Sequence, residues 1–219
     1  MRFNNLDKID LCELNPIRVY EYHDLISSTS DRVRELFQDF FVSDSGGGGR
    51  DGGGGGSCGD YFPCLVAAGE QTAGRGRNGK SWWSGEGGLM MSLGLELGAK
   101  YFPIRRELLP DFSPLVGGII ISILKNYLLS SNLVELRYPN DVYVNNKKIA
   151  GILIESPVPN FAIIGIGINV NNSIQNAPAE ISQRLTTILD LTGKKTDLRK
   201  ILQQFIAEFF NYCKAIPVS

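Results

Sequence analysis

The stretch Gly69-Glu-Gln-Thr-Ala-Gly-Arg-Gly-Arg-Asn-Gly-Lys-Ser-Trp-Trp-Ser-Gly-Glu-Gly-Gly88 decides how this chain is interpreted. It contains seven glycines and three cations, Arg75, Arg77 and Lys80. Glycine lets backbone N–H groups approach a ligand closely, and the cations supply positive charge for an anion. Two adjacent tryptophans are costly to leave in water, so the loop is expected to order by packing them over something. The sequence predicts an anion-binding loop, with a solvated surface loop as the alternative.

Residues 74–81 also match the phosphate-loop pattern G-x-x-x-x-G-K-[ST]. A phosphate loop must lead straight into a helix whose N-terminus faces the phosphates. Here Trp-Trp-Ser-Gly-Glu-Gly-Gly follows, which does not predict a helix. We therefore reject the nucleotide-hydrolase interpretation.

Composition limits the class of protein. The chain has 219 residues, 43% of them hydrophobic, and a net charge of −1, which predicts one principal domain and gives no bulk charge for nucleic acid. Cys12, Cys58, Cys64 and Cys213 form no C-x-x-C pair, and His23 is the only histidine, so we predict thiols of a reducing compartment. No secretory signal and no apolar run of 18 residues is evident. We expect a cytoplasmic protein that does not associate with a membrane.

Two early segments bear on the site. Ser27 to Ser30 lie at a predicted strand-to-helix turn, with Ser30 as the expected N-cap. Capping needs only one hydroxyl, which leaves the others open to a ligand. Residues 43–60 contain two runs of glycine, and we predict a disordered insertion in a surface loop, not a domain boundary.

Hydrophobic periodicity predicts the remaining elements. A helix is expected to start at Ser113-Pro114, and Asn145-Asn146 is expected to form a tight hairpin turn. Strands are predicted at 17–25, 64–68, 89–97, 134–138, 141–144, 147–155 and 161–168, and helices at 31–41, 178–184, through Leu189 to Gly193, and 197–214.

Three polar clusters interrupt this apolar framework. They are Arg-Tyr-Pro-Asn-Asp at 137–141, Lys-Lys at 147–148, and the amide-rich end of a strand at 165–172. Successive strand side chains point to opposite faces, so one of the two lysines is expected in solvent and the other in a site. Each cluster alone is a weak signal, because turns favour asparagine for local reasons.

Taken together, the motifs are specific. Gln-Thr-Ala-Gly-Arg-Gly-Arg-x-Gly-Lys-x-Trp, Tyr-Pro-Asn-Asp-Val-Tyr, Lys-Ile-Ala-Gly-Ile-Leu-Ile-Glu and Gly-Ile-Gly-Ile-Asn-Val-Asn occur in this order and closely resemble the biotin protein ligase family. The resemblance covers residues 25–172 well and the closing helices loosely. It implies an α/β (α+β) fold, a mixed central sheet backed by helices, as in the catalytic domain shared by biotin and lipoate ligases.

The resemblance also implies a reaction. Biotin and MgATP give biotinyl-5′-adenylate, which then acylates a lysine of a biotin carboxyl carrier protein. Arg75, Arg77 and Lys148 match the catalytic cations, while Asn140 and Asp141 match a block near the nucleotide, with Asp141 a candidate Mg²⁺ ligand. Other matched ligand-binding positions are Ser28, Thr29 and Gln71 for the ureido ring, Trp82 for the adenine side, and Gly74, Gly76, Gly79, Gly151, Gly165, Gly167 and Asn169.

The chain departs from the family pattern in places. Arg137-Tyr138 stand where Lys-Trp is usual, and Asn78 and Lys80 stand where arginines are common. We expect a single catalytic domain over residues 1–219, without an N-terminal helix-turn-helix or a C-terminal small barrel, and the resemblance leaves a homodimer open. The alternatives are a lipoate or octanoate transferase and a non-catalytic biotin-binding module.

Overall fold

The computed structural model of the chain describes residues 6–45 and 61–216, with only the backbone described for residues 40–45. Most of the glycine tract, residues 46–60, therefore lies outside the described residues. The backbone of residues 43–45 continues a helix, which differs from the predicted disorder of these three residues.

Seven strands form one mixed sheet in the order β1-β2-β3-β7-β6-β5-β4. Strands β1 and β2 run parallel, and every other neighbouring pair is antiparallel. The strands are β1 Val19–Ile26, β2 Cys64–Gln71, β3 Leu89–Glu96, β4 Val134–Arg137, β5 Asp141–Val144, β6 Lys147–Val158 and β7 Phe161–Ile168. The predicted fold class, a mixed sheet backed by helices, is confirmed.

Helices cover the two faces of the sheet. They are α1 Thr29–Ser45, α2 Leu109–Lys125, α3 Ala179–Ser182, α4 Ile188–Thr192 and α5 Leu198–Ala215. Alternate residues of β2 show the two layers, because Cys64 and Val66 pack in the cluster under α1, while Leu65 and Ala67 pack in the larger cluster under α2 and α5. On the side of the sheet that carries α1, strand β6 has Gly151 and strand β7 has Gly165 and Gly167.

Two helix starts differ from the prediction. Helix α1 begins at Thr29, and the Ser28 hydroxyl, not that of Ser30, accepts the Asp31 backbone N–H at 3.3 Å. Helix α2 begins at Leu109, with Pro114 inside it. A proline in a helix removes one backbone hydrogen bond, but burial of the first turn, including Leu109 and Phe112, compensates for that loss.

The other predicted turns hold. Asn145 and Asn146 both have positive φ, 48° and 66°, as a tight hairpin turn requires, and Gly193 ends α4 with φ 68°.

Residues Arg106–Lys125 form a helical stretch long and apolar enough to cross a membrane by length and composition, a feature that the sequence analysis did not identify. Most apolar side chains of this stretch pack in the core against the sheet and α5, while Leu108 is exposed. A core helix passes the same test, so the apolar character is explained by packing.

Candidate active site

A cavity of about 310 Å³ opens at the N-terminal end of α1, over the glycines of β6 and β7. Its walls come from the loop between β2 and β3, here called the glycine loop (residues 72–88), and from the start of β5. Its floor comes from β3, β6 and β7. The described lining includes Ser28, Thr29, Ser30, Gln71, Arg75, Gly76, Arg77, Trp82, Ser92, Asn140, Asp141, Lys148, Gly151, Gly165 and Gly167.

Most of the site residues predicted from the sequence therefore meet in one place, although they come from separate elements. Three of them, Gly74, Gly79 and Asn169, are not in the lining. Gly74 is needed for packing, because a Cβ there would lie 2.9 Å from the Trp82 carbonyl oxygen. Gly79 has φ 71° and open space around it, so its role is the turn itself.

A row of hydroxyl groups lies at one end of the cavity. Thr29 Oγ1 lies 3.1 Å from Gln71 Oε1 and 2.8 Å from Ser92 Oγ, and Ser30 Oγ lies 2.9 Å from Ser92 Oγ. Ser92 is fully buried on β3 and was missed by the sequence analysis, because a serine among apolar strand residues carries no motif. In the sheet, Ser92 lies opposite Gly165, whose missing side chain leaves room for Ser30.

The glycine loop folds back on itself. The Gly76 N–H donates to the Lys80 carbonyl at 2.7 Å, and the Trp82 N–H donates to the Gly74 carbonyl at 2.8 Å. Asn78 takes the left-handed conformation at the tip, with φ 58°. The residues after Ser81 form no helix before β3, which agrees with the prediction that this stretch is not a phosphate loop.

The Trp82 indole lies on a floor made of two glycines. Gly151 of β6 and Gly167 of β7 are direct partners in the sheet. A Cβ on Gly167 would lie 2.4 Å from Trp82 Cε2, and one on Gly151 would lie 2.8 Å from Trp82 Cζ3. The indole N–H donates to Met90 Sδ at 3.1 Å. Only glycine at both positions lets the indole lie this close to the strands.

Lys148 reaches into the cavity beside this indole. Its Nζ lies 2.7 Å from Asp141 Oδ1 and 5.3 Å from the centre of the Trp82 ring. Lys147 is exposed. The two lysines thus face opposite sides of β6, as strand alternation predicted.

Arg75 is held by carboxylates outside the cavity. Its guanidinium donates twice to Asp31, at 2.5 and 2.7 Å, and lies 3.9 Å from Glu155. Arg34 contacts the same two carboxylates. The hydrogen bonds from Arg75 hold the pKa of the Asp31 carboxyl below its usual range. The pairing fixes the base of the glycine loop against the first turn of α1.

The comparison with protein-family models gives a match over residues 61–171, just over half of the chain, to the model described as "Biotin/lipoate A/B protein ligase family". The chain belongs to this family. The match includes the glycine loop and β3 to β7, which together supply most of the cavity.

Individual relatives within the family agree. The bifunctional ligase/repressor BirA of Bacillus subtilis is 30% identical over 193 residues, covering 86% of this chain and 51% of the relative. The biotin--[acetyl-CoA-carboxylase] ligase of Mycobacterium tuberculosis is 29% identical over 147 residues, covering 66% and 52%. The chain thus spans about half the length of these relatives.

Solved structures of family members share the fold. The biotin protein ligase of Aquifex aeolicus in complex with biotin and ATP is 28% identical, with a TM-score of 0.64, covering 90% of this chain and 72% of the other. The biotin protein ligase of Leishmania major in complex with biotinyl-5-AMP is 25% identical, with a TM-score of 0.64, covering 89% and 74%.

Asn169, a ligand-binding residue by family resemblance, is buried behind the cavity. It is 1% exposed, and its Oδ1 accepts a hydrogen bond from Asn172 Nδ2 at 2.9 Å. Its own Nδ2 has no hydrogen-bond partner among the described residues. Its assignment to ligand binding stays a prediction.

Asp141 was the candidate ligand for Mg²⁺ in this family site. In the described part of the chain no group of three or more His, Cys, Asp or Glu side chains forms a candidate metal site. Asp141 is moreover ion-paired with Lys148. A protein-held Mg²⁺ normally needs one or two available carboxylates together with substrate phosphates. The described residues therefore do not fit a resident Mg²⁺ site.

We predict that Asp31→Asn weakens the hold on Arg75 and raises the rate at which a protease cleaves the glycine loop about fivefold. That change corresponds to about 1 kcal/mol, as expected for a partly exposed ion pair. Asp31→Glu should restore part of the loss. The matched control is Glu35→Gln, which removes a carboxylate of the same helix that pairs with Arg32. Equal cleavage rates for Asp31→Asn and Glu35→Gln would show that Asp31 does not position Arg75.

Proposed function

We propose that this chain attaches biotin to a lysine of a biotin carboxyl carrier protein, with biotinyl-5′-adenylate as the intermediate and MgATP as co-substrate. The observation that carries the proposal is the pairing of two features in one cavity. Arg75, Arg77 and Lys148 are brought together, and a neutral row of hydroxyl and amide groups lies beside them. The cations suit a carboxylate and phosphates, and the neutral row suits a ureido ring.

In the first step a biotin carboxylate oxygen attacks the α-phosphorus of ATP. The bond from that phosphorus to the bridging oxygen breaks, and pyrophosphate leaves with the electron pair. Two anions must approach each other, so cations that neutralise them lower the barrier. Lys148, held by Asp141 and the Trp82 ring, is pre-oriented for this work.

In the second step the neutral amine of the carrier lysine attacks the acyl carbon. The carbon–oxygen bond to the phosphate breaks, AMP leaves with the electron pair, and the nitrogen loses a proton. The mixed anhydride also reacts with water, so a cover over the cavity is useful. The glycine loop supplies that cover, with Trp82 lying against the sheet.

Support for biotin over lipoate comes from the relatives, which are named as biotin ligases, and from the solved structures, which are complexes with biotin and ATP or with biotinyl-5-AMP. We also propose a cytoplasmic location, which is consistent with the free thiols of Cys12, Cys64 and Cys213.

The deciding experiment is ATP–pyrophosphate exchange by the purified chain. We expect exchange that depends on biotin and is not supported by lipoate or octanoate. Exchange with lipoate alone would favour the transferase alternative. Biotin binding without any exchange would overturn catalysis and leave the binding module.

A further inference from the structure

Arg34 of α1 contacts the same two carboxylates that hold Arg75. It is ion-paired with Asp31, one helical turn before it, and its guanidinium lies 3.3 Å from Glu155 Oε1 on β6. Both terminal nitrogens of Arg75 donate to Asp31, and one of them lies 3.9 Å from Glu155 Oε2. These four side chains, Asp31, Arg34, Arg75 and Glu155, are called here the charge cluster. Its two guanidinium groups balance its two carboxylates.

Water screens the charge cluster only in part. The exposed fraction of the side chain is 31% for Asp31, 29% for Arg34 and 28% for Glu155. Glu155 Oε2 is buried and has no hydrogen-bond partner among the described residues. Hydrogen bonds from Arg75, and after them those from Arg34, hold the pKa of the Asp31 carboxyl below its usual range. A carboxylate in these surroundings is costly to leave without a cation.

Arg75 is the one member of the charge cluster that belongs to the glycine loop. Asp31 and Arg34 lie on α1, and Glu155 lies on β6, which is paired with β7 at that point. A movement of the loop therefore separates Arg75 from the other three. In residues 6–45 and 61–216, Arg34 and Arg75 are the only cations that form an ion pair with Asp31 or Glu155. Without Arg34, departure of Arg75 would leave both carboxylates unpaired.

We propose that Arg34 is a positioning residue for Arg75: it competes for Asp31 and keeps both carboxylates paired when Arg75 turns to a substrate anion in the cavity. Arg34 Nη1 and Arg75 Nη2 donate to the same oxygen, Asp31 Oδ1, so each weakens the hold of the other. Arg75 lines the cavity, but its terminal nitrogens can act on an anion only after they leave Asp31. The part of this inference that concerns catalysis rests on the proposed function.

The first test is the rate at which trypsin cleaves the ligand-free chain after Lys80, an exposed residue of the glycine loop. Arg34→Met keeps an apolar stem and removes the charge, so release of Arg75 becomes more costly. We expect cleavage at least threefold slower, which is the opposite direction from Asp31→Asn. A loss of packing or stability in the variant would instead speed cleavage, so the direction of the change separates the two explanations.

The matched control is Arg32→Met on the same helix. The side chain of Arg32 is 28% exposed and pairs with two glutamates outside the charge cluster. Its replacement should leave the cleavage rate within a factor of two, and Arg34→Lys, which keeps a positive charge, should recover most of the original rate. Cleavage of Arg34→Met that is as fast as that of Arg32→Met, or faster, would overturn the proposal.

A double variant tests whether Arg34 acts through Asp31. Once Asp31→Asn has weakened the hold on Arg75, adding Arg34→Met should change the cleavage rate less than twofold, because the shared carboxylate is gone. The same threefold slowing in the presence and absence of Asp31→Asn would show that Arg34 acts elsewhere and would overturn the proposal.

The second test is pyrophosphate release in a single turnover with saturating biotin and ATP. We expect Arg34→Met to lower the rate at least threefold, Arg34→Lys to restore most of it, and Arg32→Met to leave it unchanged. Equal rates for Arg34→Met and Arg32→Met would overturn the role of Arg34 in the reaction. If the unmodified chain releases no pyrophosphate, the proposed function fails, and cleavage after Lys80 still decides whether Arg34 competes with Arg75.

Discussion

Replacing Lys148 by alanine is expected to reduce the rate of biotinyl-adenylate formation at least 100-fold. The ammonium group points into the cavity beside Arg75 and Arg77, where the carboxylate and the α-phosphate would meet. Loss of a group aimed at developing charge is worth about 3 kcal/mol. The rate is measured as pyrophosphate release in a single turnover with saturating biotin and ATP.

Two controls distinguish a direct role of Lys148 from an indirect effect of the substitution. Lys147→Ala removes the exposed neighbour on the other face of β6 and should change the rate less than twofold. The double variant Asp141→Asn with Lys148→Ala tests whether an unpaired carboxylate causes the defect, because Asp141 loses its partner. Recovery in the double variant, or equal losses for the two lysines, would contradict a direct role for Lys148.

Gly167→Ala is expected to lower kcat/KM for adenylate formation about 100-fold while the fold is retained. The added Cβ would lie 2.4 Å from Trp82 Cε2, so the indole must leave the sheet and the loop cover must shift. Displacements of about 1 Å in a site can cost this much. The measurements are adenylate formation at varied biotin and ATP, with the circular dichroism spectrum as a check of folding.

The matched control is Gly118→Ala, because a Cβ there meets nothing within 4 Å and alanine favours the helix. If the defect works through the indole, adding Gly167→Ala to Trp82→Ala should cause little further loss. Losses that multiply in the double variant would show that the alanine acts independently of Trp82.

Features of the fold and the site could be predicted from the sequence when a local pattern allowed only one physical role for a residue. Lys148 was assigned to the cavity by strand alternation, and Asn145-Asn146 to a turn by their tolerance of positive φ. Gly151 and Gly167 were assigned only by family resemblance. Their shared contact with Trp82 depends on sheet register, which links residues far apart in sequence.

The contacts that the sequence did not predict also join residues far apart in the chain. Asp31 was assigned to a first helical turn, and nothing in its neighbours showed that it holds Arg75, which lies 44 positions away. Ser28 and Ser30 are equivalent as helix caps by sequence. In the structure the Ser30 hydroxyl is hydrogen-bonded to Ser92 on β3, and the Ser28 hydroxyl caps the helix. Long-range partners decide such cases, and local patterns do not contain them.

The side-chain amide of Gln71 gives the hydroxyl row a fixed polarity. Its Oε1 receives the Thr29 backbone N–H at 2.8 Å, and since that group can only donate, the orientation of the amide is set. The Thr29 hydroxyl must then donate its hydrogen bond to Gln71. The Ser92 hydroxyl in turn donates to Thr29, and the Ser30 hydroxyl donates to Ser92. All three protons point one way, and the lone pairs of Ser30 are left to accept. The N–H group of a bound ring would therefore find an acceptor at Ser30. The orientation of that hydroxyl is set by Gln71, three side chains away, before a ligand binds.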